Sequence, residues 1–455
     1  MSRKNRYVEA EILIEDMEFP NKGIGFFEGN KVTVKNTVIG QTVKVNIKKK
    51  KQKYEGRLIE IVSKADYEIT PDCCAFGSCG GCTYQNIPYE KELEYKKNNV
   101  LKLLQQEDLG DYEFLGVQGS PAVKEYRNKM EFSFGDTGVD GELSLGMRKR
   151  ESYYEVVNAD ECKIVDEDIR KIVACVRDFF KNSEDTFYHK TKRTGALRHL
   201  LVRKAYFTGE ILVNLVTTKE LKSNLVELKD LLLNINFDGK LVGFLHTVNE
   251  SVADVVKADE LNIIWGQDYF MEKLLGLDFK ISAFSFFQTN SRGAEVLYSK
   301  AREFAGDVSD KTVFDLYCGT GTIAQIMASK AKKVIGVELV EEAIEAAKIN
   351  ANLNGIDNCQ FIAGDVLKVV DELSDCPDLI VLDPPREGIH PKAIGKIINF
   401  GAPKIVYISC KASSMTKDLK VFVENGYKIE KIQCVDMFAK TYHIETVVLL
   451  SKKPQ

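Results

Sequence analysis

The stretch KTVFDLYCGTGT (311–322) and the segments that follow it determine the fold of the C-terminal part of this chain. Further compact apolar runs follow at KKVIGVEL (332–339), CQFIAG (359–364), DLIVLD (378–383) and KIVYIS (404–409). Helical patterns such as LVEEAIEAAKINANLNG (339–355) separate these runs. Alternation of strand and helix is typical of a parallel sheet covered on both faces. The sequence therefore predicts an α/β Rossmann-like domain over residues 281–455.

Glycines and carboxylates follow the predicted strands where a nucleoside cofactor would bind. Gly319 and Gly321 let the backbone turn tightly after the first strand. Glu338 ends the second strand, 17 residues after Gly321, where it can accept hydrogen bonds from ribose hydroxyls. Asp365 and Asp383 follow the third and fourth strands; the alternative interpretation is that they cap the following helices. The spacing and the tripeptide Asp-Pro-Pro resemble class I S-adenosylmethionine methyltransferases more than dinucleotide enzymes.

A cysteine and a glutamate near the C-terminus suggest covalent chemistry. Cys410 directly follows the fifth strand, and Glu445 begins an apolar strand in the segment HIETVVLL. Pyrimidine C5 methylation requires both groups, because a thiolate adds to C6 and a base later removes the C5 proton. We therefore predict Cys410 as nucleophile and Glu445 as base. The alternative for Cys410 is a small buried hydrophobic residue.

A second group of cysteines suggests a metal centre. Cys73, Cys79 and Cys82 lie in CCAFGSCGGC, and Cys162 follows far downstream. Eleven cysteines in a chain without an export signal argue against a disulfide framework. Four thiolates suit either zinc or an iron–sulfur cluster. Cys74 competes with Cys73 as a ligand.

The first 62 residues predict a small β-barrel that binds nucleic acid. Short alternating strands are expected at YVEAEILIEDM, KVTVKN, QTVKVNI and GRLIEIVSK. Residues 1–60 carry 13 Lys or Arg against 8 Asp or Glu, although the whole chain has a net charge of −4. Five lysines lie between Lys48 and Lys53. Such a patch can attract phosphates, and a solvated strand end is the alternative.

The region between the barrel and the Rossmann-like domain, residues 63–280, predicts an α+β domain. A helix is expected over about 89–106, followed by a mixture of strands and helices. A length of 455 residues fits two or three domains, and 44% hydrophobic with 29% charged residues is typical of a globular protein. No apolar run is long enough for a membrane span, and the N-terminus has no export signal. We expect a cytoplasmic monomer.

Taken in order, these motifs resemble the RNA (uracil-5-)-methyltransferase family, in particular its large-subunit ribosomal RNA members. The matching segments are CCAFGSCGGCTYQ, YRNKMEFSF, SFFQTN, DLYCGTGT, VIGVEL, LDPPREG, YISC and HIET. The resemblance implies an N-terminal TRAM (OB-like) barrel, and a four-iron, four-sulfur cluster on Cys73, Cys79, Cys82 and Cys162. It implies Cys410 and Glu445 as catalytic residues, and cofactor contacts at Gln288, Tyr317, Thr322, Glu338, Asp365 and Asp383.

The resemblance also implies the substrate, a uridine of large-subunit (23S) ribosomal RNA that flips out of its stack into the site. Arg127, Lys129 and the barrel lysines would hold phosphates, with ordinary solvated charge as the alternative. Three other functions remain open at this point. They are uracil-5 methylation of transfer RNA, methylation of an exocyclic amine, and a non-enzymatic RNA-binding protein whose cluster senses redox state.

Overall fold

The computed structural model describes residues 7–50, 53–138, 141–152, 154–251 and 259–454. Lys51 of the basic run and the first six residues of the predicted barrel lie outside these ranges. Within them, no helix is long and apolar enough to cross a bilayer.

The N-terminal region forms a six-stranded sheet in the order β1-β5-β6-β4-β3-β2. Alternate residues of β5 point inward, and Val43, Val45 and Ile47 join a small core with Ile12 and Val32. The four predicted strands are therefore found, whereas the TRAM assignment stays a prediction. The strands are β1 (Tyr7–Leu13), β2 (Asp16–Glu18), β3 (Lys22–Phe27), β4 (Asn30–Lys35), β5 (Thr42–Lys50) and β6 (Lys53–Ser63).

The next segment joins the N-terminal sheet to the rest of the molecule. The expected helix is α1 (Tyr89–Leu104), and the strand β7 (Glu113–Gln118) follows it. β7 pairs in parallel with β22 (Tyr427–Val435), far downstream in the sequence. The predicted boundary at residue 280 stays a prediction, but this strand of the predicted middle region belongs to the C-terminal sheet.

A buried ion network fixes α1 to the loop after β22. The Lys96 ammonium donates to Glu92 and to Asp436, each at 2.8 Å, and all three side chains are buried. The Glu92 carboxylate also accepts from the Lys440 backbone amide at 2.7 Å. The Lys440 carbonyl in turn accepts from the Thr83 amide at 2.7 Å. This loop therefore holds α1 and the cysteine-rich segment together.

The central region is a seven-stranded sheet in the order β10-β9-β8-β11-β12-β13-β14, with helices on its apolar face. Its elements are β8 (Lys129–Asp136), β9 (Leu143–Arg148), β10 (Val156–Asn158), α2 (Glu167–Lys181), β11 (Leu197–Lys204), β12 (Glu210–Thr217), α3 (Leu225–Leu233), β13 (Lys240–Val248) and β14 (Glu260–Gly266). A hairpin of β15 (Tyr269–Leu274) and β16 (Leu277–Ser282) leads to the last region.

The C-terminal sheet has the order β19-β18-β17-β20-β21-β23-β22-β7. Its first five strands are parallel, as predicted, and β23 is antiparallel to β21. Alternate residues such as Val313 and Phe314 face separate cores on the two sides. The elements are α4 (Ser291–Ala305), β17 (Thr312–Leu316), α5 (Thr322–Ala328), β18 (Lys333–Glu338), α6 (Glu341–Leu353), β19 (Cys359–Ala363), α7 (Val366–Val369), β20 (Leu379–Leu382), α8 (Pro391–Asn399), β21 (Lys404–Ser409), α9 (Ala412–Glu424), β22 and β23 (Glu445–Lys452).

Candidate active site

The glycine loop after β17 forms a tight turn into α5. Tyr317, Gly319 and Gly321 all have positive φ angles, of 72°, 54° and 72°. A Cβ atom on Gly321 would lie 2.7 Å from the Phe361 ring, so only glycine fits there. Thr322 is buried at the start of α5. The loop lies at the carboxyl end of the sheet, where α/β enzymes bind ligands.

Two of the predicted cofactor carboxylates lie beside this loop. Glu338 accepts from the Gly319 amide at 3.1 Å and from the Val340 amide at 3.1 Å. Asp365 caps α7 by accepting from the Leu367 amide at 2.9 Å. The capping interpretation therefore describes Asp365 in this structure. Burial, and then the charge of Asp365, raise the pKa of Tyr317 to about 12, so the Asp365 carboxylate lies near the Tyr317 hydroxyl.

Gln288 lies near the same strand ends, on the loop before α4. Its side chain hydrogen-bonds to the hydroxyl of the buried Tyr298. Burial raises the pKa of Tyr298 well above its usual value, and the charges of Asp383 and Glu445 add to the effect. The predicted cofactor residue Gln288 is therefore close to the predicted catalytic group.

Cys410 and Glu445 are brought together by strand pairing. Cys410 follows β21, Glu445 begins β23, and Ser409 pairs with Thr446. Burial raises the pKa of Glu445 to about 8, with a smaller contribution from Asp383. Burial and then the Glu445 charge raise the pKa of the Cys410 thiol to about 11. A thiol and a carboxyl group 35 residues apart in sequence thus share one pocket.

Two further acids complete the pocket. Burial raises the pKa of Asp383 to about 7. Asp315, inside β17, is fully buried, and burial together with Asp383 raises its pKa to about 8. Asp315 was missed by sequence reasoning, because an acid inside an apolar strand looks like an ordinary break in the pattern. A cluster of carboxyl groups that titrate near neutrality attracts a cationic ligand.

Arg386 is the cation of this pocket, and sequence reasoning did not assign it a role. Its guanidinium hydrogen-bonds to the Cys410 thiol and opposes the increase in the pKa of both Cys410 and Glu445. The available signal was its position immediately after Asp-Pro-Pro, in the turn that follows β20. Arg386 is exposed, so it stands at the open side of the site.

The segment predicted to face RNA contacts the cofactor side of the site. Asn128 donates through its side chain to the Gln288 carbonyl at 3.0 Å and through its backbone to the Thr289 carbonyl at 2.9 Å. Burial lowers the pKa of Lys129 to about 8. The Arg127 guanidinium donates to the Lys129 carbonyl at 3.0 Å, which gives Arg127 a structural contact as well.

The four predicted metal ligands line one cavity. Cys73, Cys79, Cys82 and Cys162 surround it with apolar neighbours such as Met130, whereas Cys74 is exposed and does not line it. Burial, and then the charges of the other three thiols, raise the pKa of Cys82 to about 12. In the described part of the chain, no three ligand side chains converge on a single-ion site.

Comparisons with known proteins identify the family of this chain. The family model "tRNA (Uracil-5-)-methyltransferase" matches residues 88–453. An RNA methyltransferase of Clostridium tetani is 53% identical over 98% of both chains. One from Caldanaerobacter subterraneus is 50% identical over 97% of this chain and 98% of its own.

A solved structure matches nearly the whole chain. The Pyrococcus abyssi tRNA (uracil-54, C5)-methyltransferase, in complex with S-adenosyl-L-homocysteine, has a TM-score of 0.77 and 27% identity. The match covers 96% of this chain and 99% of that one, so it includes the N-terminal sheet. Together with the family model and the half-identical relatives, this makes the chain an RNA methyltransferase that belongs to the (uracil-5-)-methyltransferase family.

Proposed function

We propose that this enzyme transfers a methyl group from S-adenosylmethionine to carbon 5 of a uridine in RNA through a covalent bond to Cys410. The observation that carries the proposal is the pairing of β21 with β23, which brings Cys410 and Glu445 into one pocket next to the glycine loop. The acids Asp315 and Asp383 face this pocket and favour a sulfonium cation. Gln288, Tyr317, Thr322, Glu338 and Asp365 would complete the cofactor site.

The reaction divides one difficult step into easier ones. The Cys410 sulfur adds to C6 of the uracil, and the C5–C6 double bond becomes an enolate. Carbon 5 then attacks the sulfonium methyl, and S-adenosylhomocysteine leaves. Glu445 takes the proton from C5, the double bond re-forms, and the bond between sulfur and C6 breaks to release 5-methyluridine and the thiolate.

The test is the adduct that this route forms with RNA containing 5-fluorouridine. A base cannot remove the fluorine from C5 as it removes a proton, so the bond between Cys410 and C6 cannot break and the adduct persists. Native enzyme with cofactor should give a denaturant-resistant complex with the RNA. Cys410→Ala should abolish it, and Cys376→Ala, a change at an exposed cysteine, should retain it. A native enzyme that methylates uridine without forming the complex would overturn the covalent route. Transfer to an exocyclic amine instead would overturn the proposal entirely.

Large-subunit ribosomal RNA is the substrate class that we propose, on the combination of an N-terminal sheet and a four-cysteine cavity. Transfer RNA is the second candidate, because the Pyrococcus abyssi enzyme, which is named for transfer RNA, matches 96% of this chain with a TM-score of 0.77. Incorporation of labelled methyl groups into unmodified 23S ribosomal RNA and into unmodified transfer RNA distinguishes the two substrate classes. Label in the 23S RNA alone supports our choice, and label in transfer RNA alone contradicts it.

Cys73, Cys79, Cys82 and Cys162 would hold an iron–sulfur cluster. Such a cluster would join the cysteine-rich loop to the central sheet, and no step of methyl transfer needs its electrons. Protein purified without oxygen should be brown and contain iron and sulfide. Colourless protein with one zinc per chain would contradict the assignment.

A further inference from the structure

Two neighbouring aromatic side chains face water on the turn between β11 and β12. Tyr206 and Phe207 are 48% and 43% exposed, and their ring centroids lie 5.0 Å apart at an interplanar angle of 85°. Turns between strands usually carry small polar residues, because an apolar ring that stays in water contributes nothing to the core. Two adjacent exposed rings therefore point to a surface that a ligand covers.

The turn that carries the two rings is held in one conformation. The Glu272 carboxylate is fully buried and accepts from the backbone amides of Tyr206 and Phe207 at 2.7 and 3.0 Å. The Ala205 amide donates to the Glu210 carbonyl at 2.8 Å. A buried carboxylate is costly unless donors saturate it, so these bonds fix the turn firmly. Rings that are fixed before a ligand arrives lose little entropy when it binds.

The same carboxylate connects the turn to the loop that carries Gln288. Oε2 of Glu272, which accepts from the Tyr206 amide, also accepts from the Ser291 hydroxyl at 2.6 Å. That hydroxyl accepts from the Asn128 side-chain nitrogen at 2.8 Å, and the same nitrogen donates to the Gln288 carbonyl at 3.0 Å. A chain of hydrogen bonds through shared atoms thus joins the Tyr206 amide to the backbone of Gln288, beside the catalytic pocket.

Arg292 adds a positive charge to the two rings. It lies in the first turn of α4, and its guanidinium carbon is 5.5 Å from the centre of the Tyr206 ring. Among the residues that the structure describes, no carboxylate lies within ion-pair distance of Arg292. Exposed rings beside an available cation are the combination that holds the bases and phosphates of single-stranded RNA. A polyanion fits this surface better than an apolar protein partner would.

We propose that Tyr206, Phe207 and Arg292 bind a nucleotide of the substrate RNA near the target uridine, with its base against the rings and its phosphate on Arg292. The inference rests on the proposed function only in that an unpaired uridine of RNA enters the pocket, because its neighbours on the strand then lie close to the loop that carries Gln288.

The first test compares two arginines at opposite ends of α4. Arg292 lies in its first turn and Arg302 in its last, about 15 Å further along the helix. The probe is a fluorescein-labelled single-stranded uridylate 12-mer, measured by anisotropy with full-length protein. Arg292→Gln should weaken binding by roughly fivefold to tenfold and reduce the salt slope by about 0.7, the value for one lost phosphate contact. Arg302→Gln should change affinity by less than about twofold.

Equal losses in Arg292→Gln and Arg302→Gln, or no loss in either, would overturn the placement of the phosphate. Arg292→Lys keeps the charge and should retain the native salt slope. Each variant must keep the native melting temperature and cofactor affinity. Should Arg292→Gln melt early, the comparison of ring variants carries the test.

The second test concerns the base. Tyr206→Ala should weaken binding of the 12-mer by roughly tenfold, whereas Tyr206→Phe keeps the ring and should bind like the native protein. Phe207→Leu keeps an apolar side chain without a flat face, so it should weaken binding by roughly fivefold to tenfold. Native affinity in both Tyr206→Ala and Phe207→Leu would overturn the proposal and assign the rings to a partner other than RNA.

Crosslinking locates the contact directly. A uridylate 12-mer that contains 4-thiouridine reacts with nearby side chains under near-ultraviolet light, and trypsin then releases residues 205–219 as one peptide, between Lys204 and Lys219. We expect crosslinked RNA on this peptide, and crosslinks on other peptides alone would overturn the placement. The adduct assay with 5-fluorouridine RNA reports separately on the proposed function. A native enzyme that forms no adduct contradicts that function and leaves the binding and crosslinking comparisons intact.

Discussion

The proposed nucleophile Cys410 must ionise before it can add to the uracil. Burial raises its pKa to about 11, so the thiolate is the minor form at pH 7 in the protein without its ligands. The half-buried thiol lies near Glu445 and Asp383, and both acids oppose the thiolate when they are charged. A bound sulfonium cation would offset those charges, and Arg386 already does so in part. We therefore expect cofactor binding to favour the Cys410 thiolate.

Glu445→Gln should separate methylation from release of the RNA. The amide cannot accept the C5 proton, so the methylated adduct should form and persist. We expect single-turnover methylation near the native rate and a multiple-turnover rate that is lower by roughly 10²- to 10⁴-fold, the range for losing a positioned base. Quenched time courses with labelled cofactor and denaturing gels measure both quantities.

Glu430→Gln is the matched control, because Glu430 lies on β22 and pairs at the surface with Lys428 and Ser451. It should turn over like the native enzyme. Normal multiple turnover by Glu445→Gln would show that another group takes the proton.

The pH dependence of the reaction follows from the same pocket. The proposed base Glu445 can accept a proton only when it is deprotonated. Burial raises its pKa to about 8, so the multiple-turnover rate should increase as pH rises through about 8. Arg386→Gln removes the cation that lowers the pKa of Glu445 and of Cys410. Its pH–rate profile should shift to higher pH, with activity at pH 7 reduced by about tenfold for a change of one pH unit.

Arg386→Lys keeps the charge and should retain a profile close to the native one. Multiple-turnover rates between pH 6 and 9 decide the matter. A profile of Arg386→Gln that is lower at every pH but has the native midpoint would mean that Arg386 positions RNA and does not tune the acids.

At the scale of elements, α1 is joined to the C-terminal sheet by buried charge. Lys96→Met should lower the free energy of unfolding by about 3–5 kcal/mol, because Glu92 and Asp436 are left as buried carboxylates without their cation. Lys97→Met, at the exposed neighbouring position, should change it by less than about 0.5 kcal/mol. Chemical denaturation of both variants measures the difference. Equal stability of the two would show that the network contributes nothing net.

Local sequence patterns predicted the strands and helices well in the C-terminal region, where the two alternate along the chain. The five parallel strands, α1 and the position of Cys410 after β21 are all confirmed. Long-range pairing was not predictable: no local pattern indicates that β7 joins β22, or that Lys96 is buried against Asp436. The contact between Arg386 and Cys410 was not predictable either, because the sequence around Arg386 does not distinguish it from an ordinary surface arginine.

At the scale of the whole molecule, the basic N-terminal sheet should contribute to RNA affinity mainly through charge. Lys49→Gln combined with Lys50→Gln should reduce the salt slope of RNA binding by up to about 1.4, at about 0.7 for each lost phosphate contact. Lys330→Gln with Lys332→Gln removes two exposed lysines between α5 and β18 and should leave the salt slope unchanged. Anisotropy titrations across salt concentrations measure the slopes, and equal slopes in the two pairs would argue for general attraction.

The parallel pairing of β7 with β22 has a consequence for biosynthesis. About three hundred residues leave the ribosome between these two strands, so the edge of the C-terminal sheet can form only after β22 has been synthesised. Until then, Glu92 and Lys96 on α1 lack their contacts with residues 436–440. A nascent chain stalled before residue 427 should therefore be sensitive to protease around α1, and emergence of residues 427–452 should bring resistance in a single step.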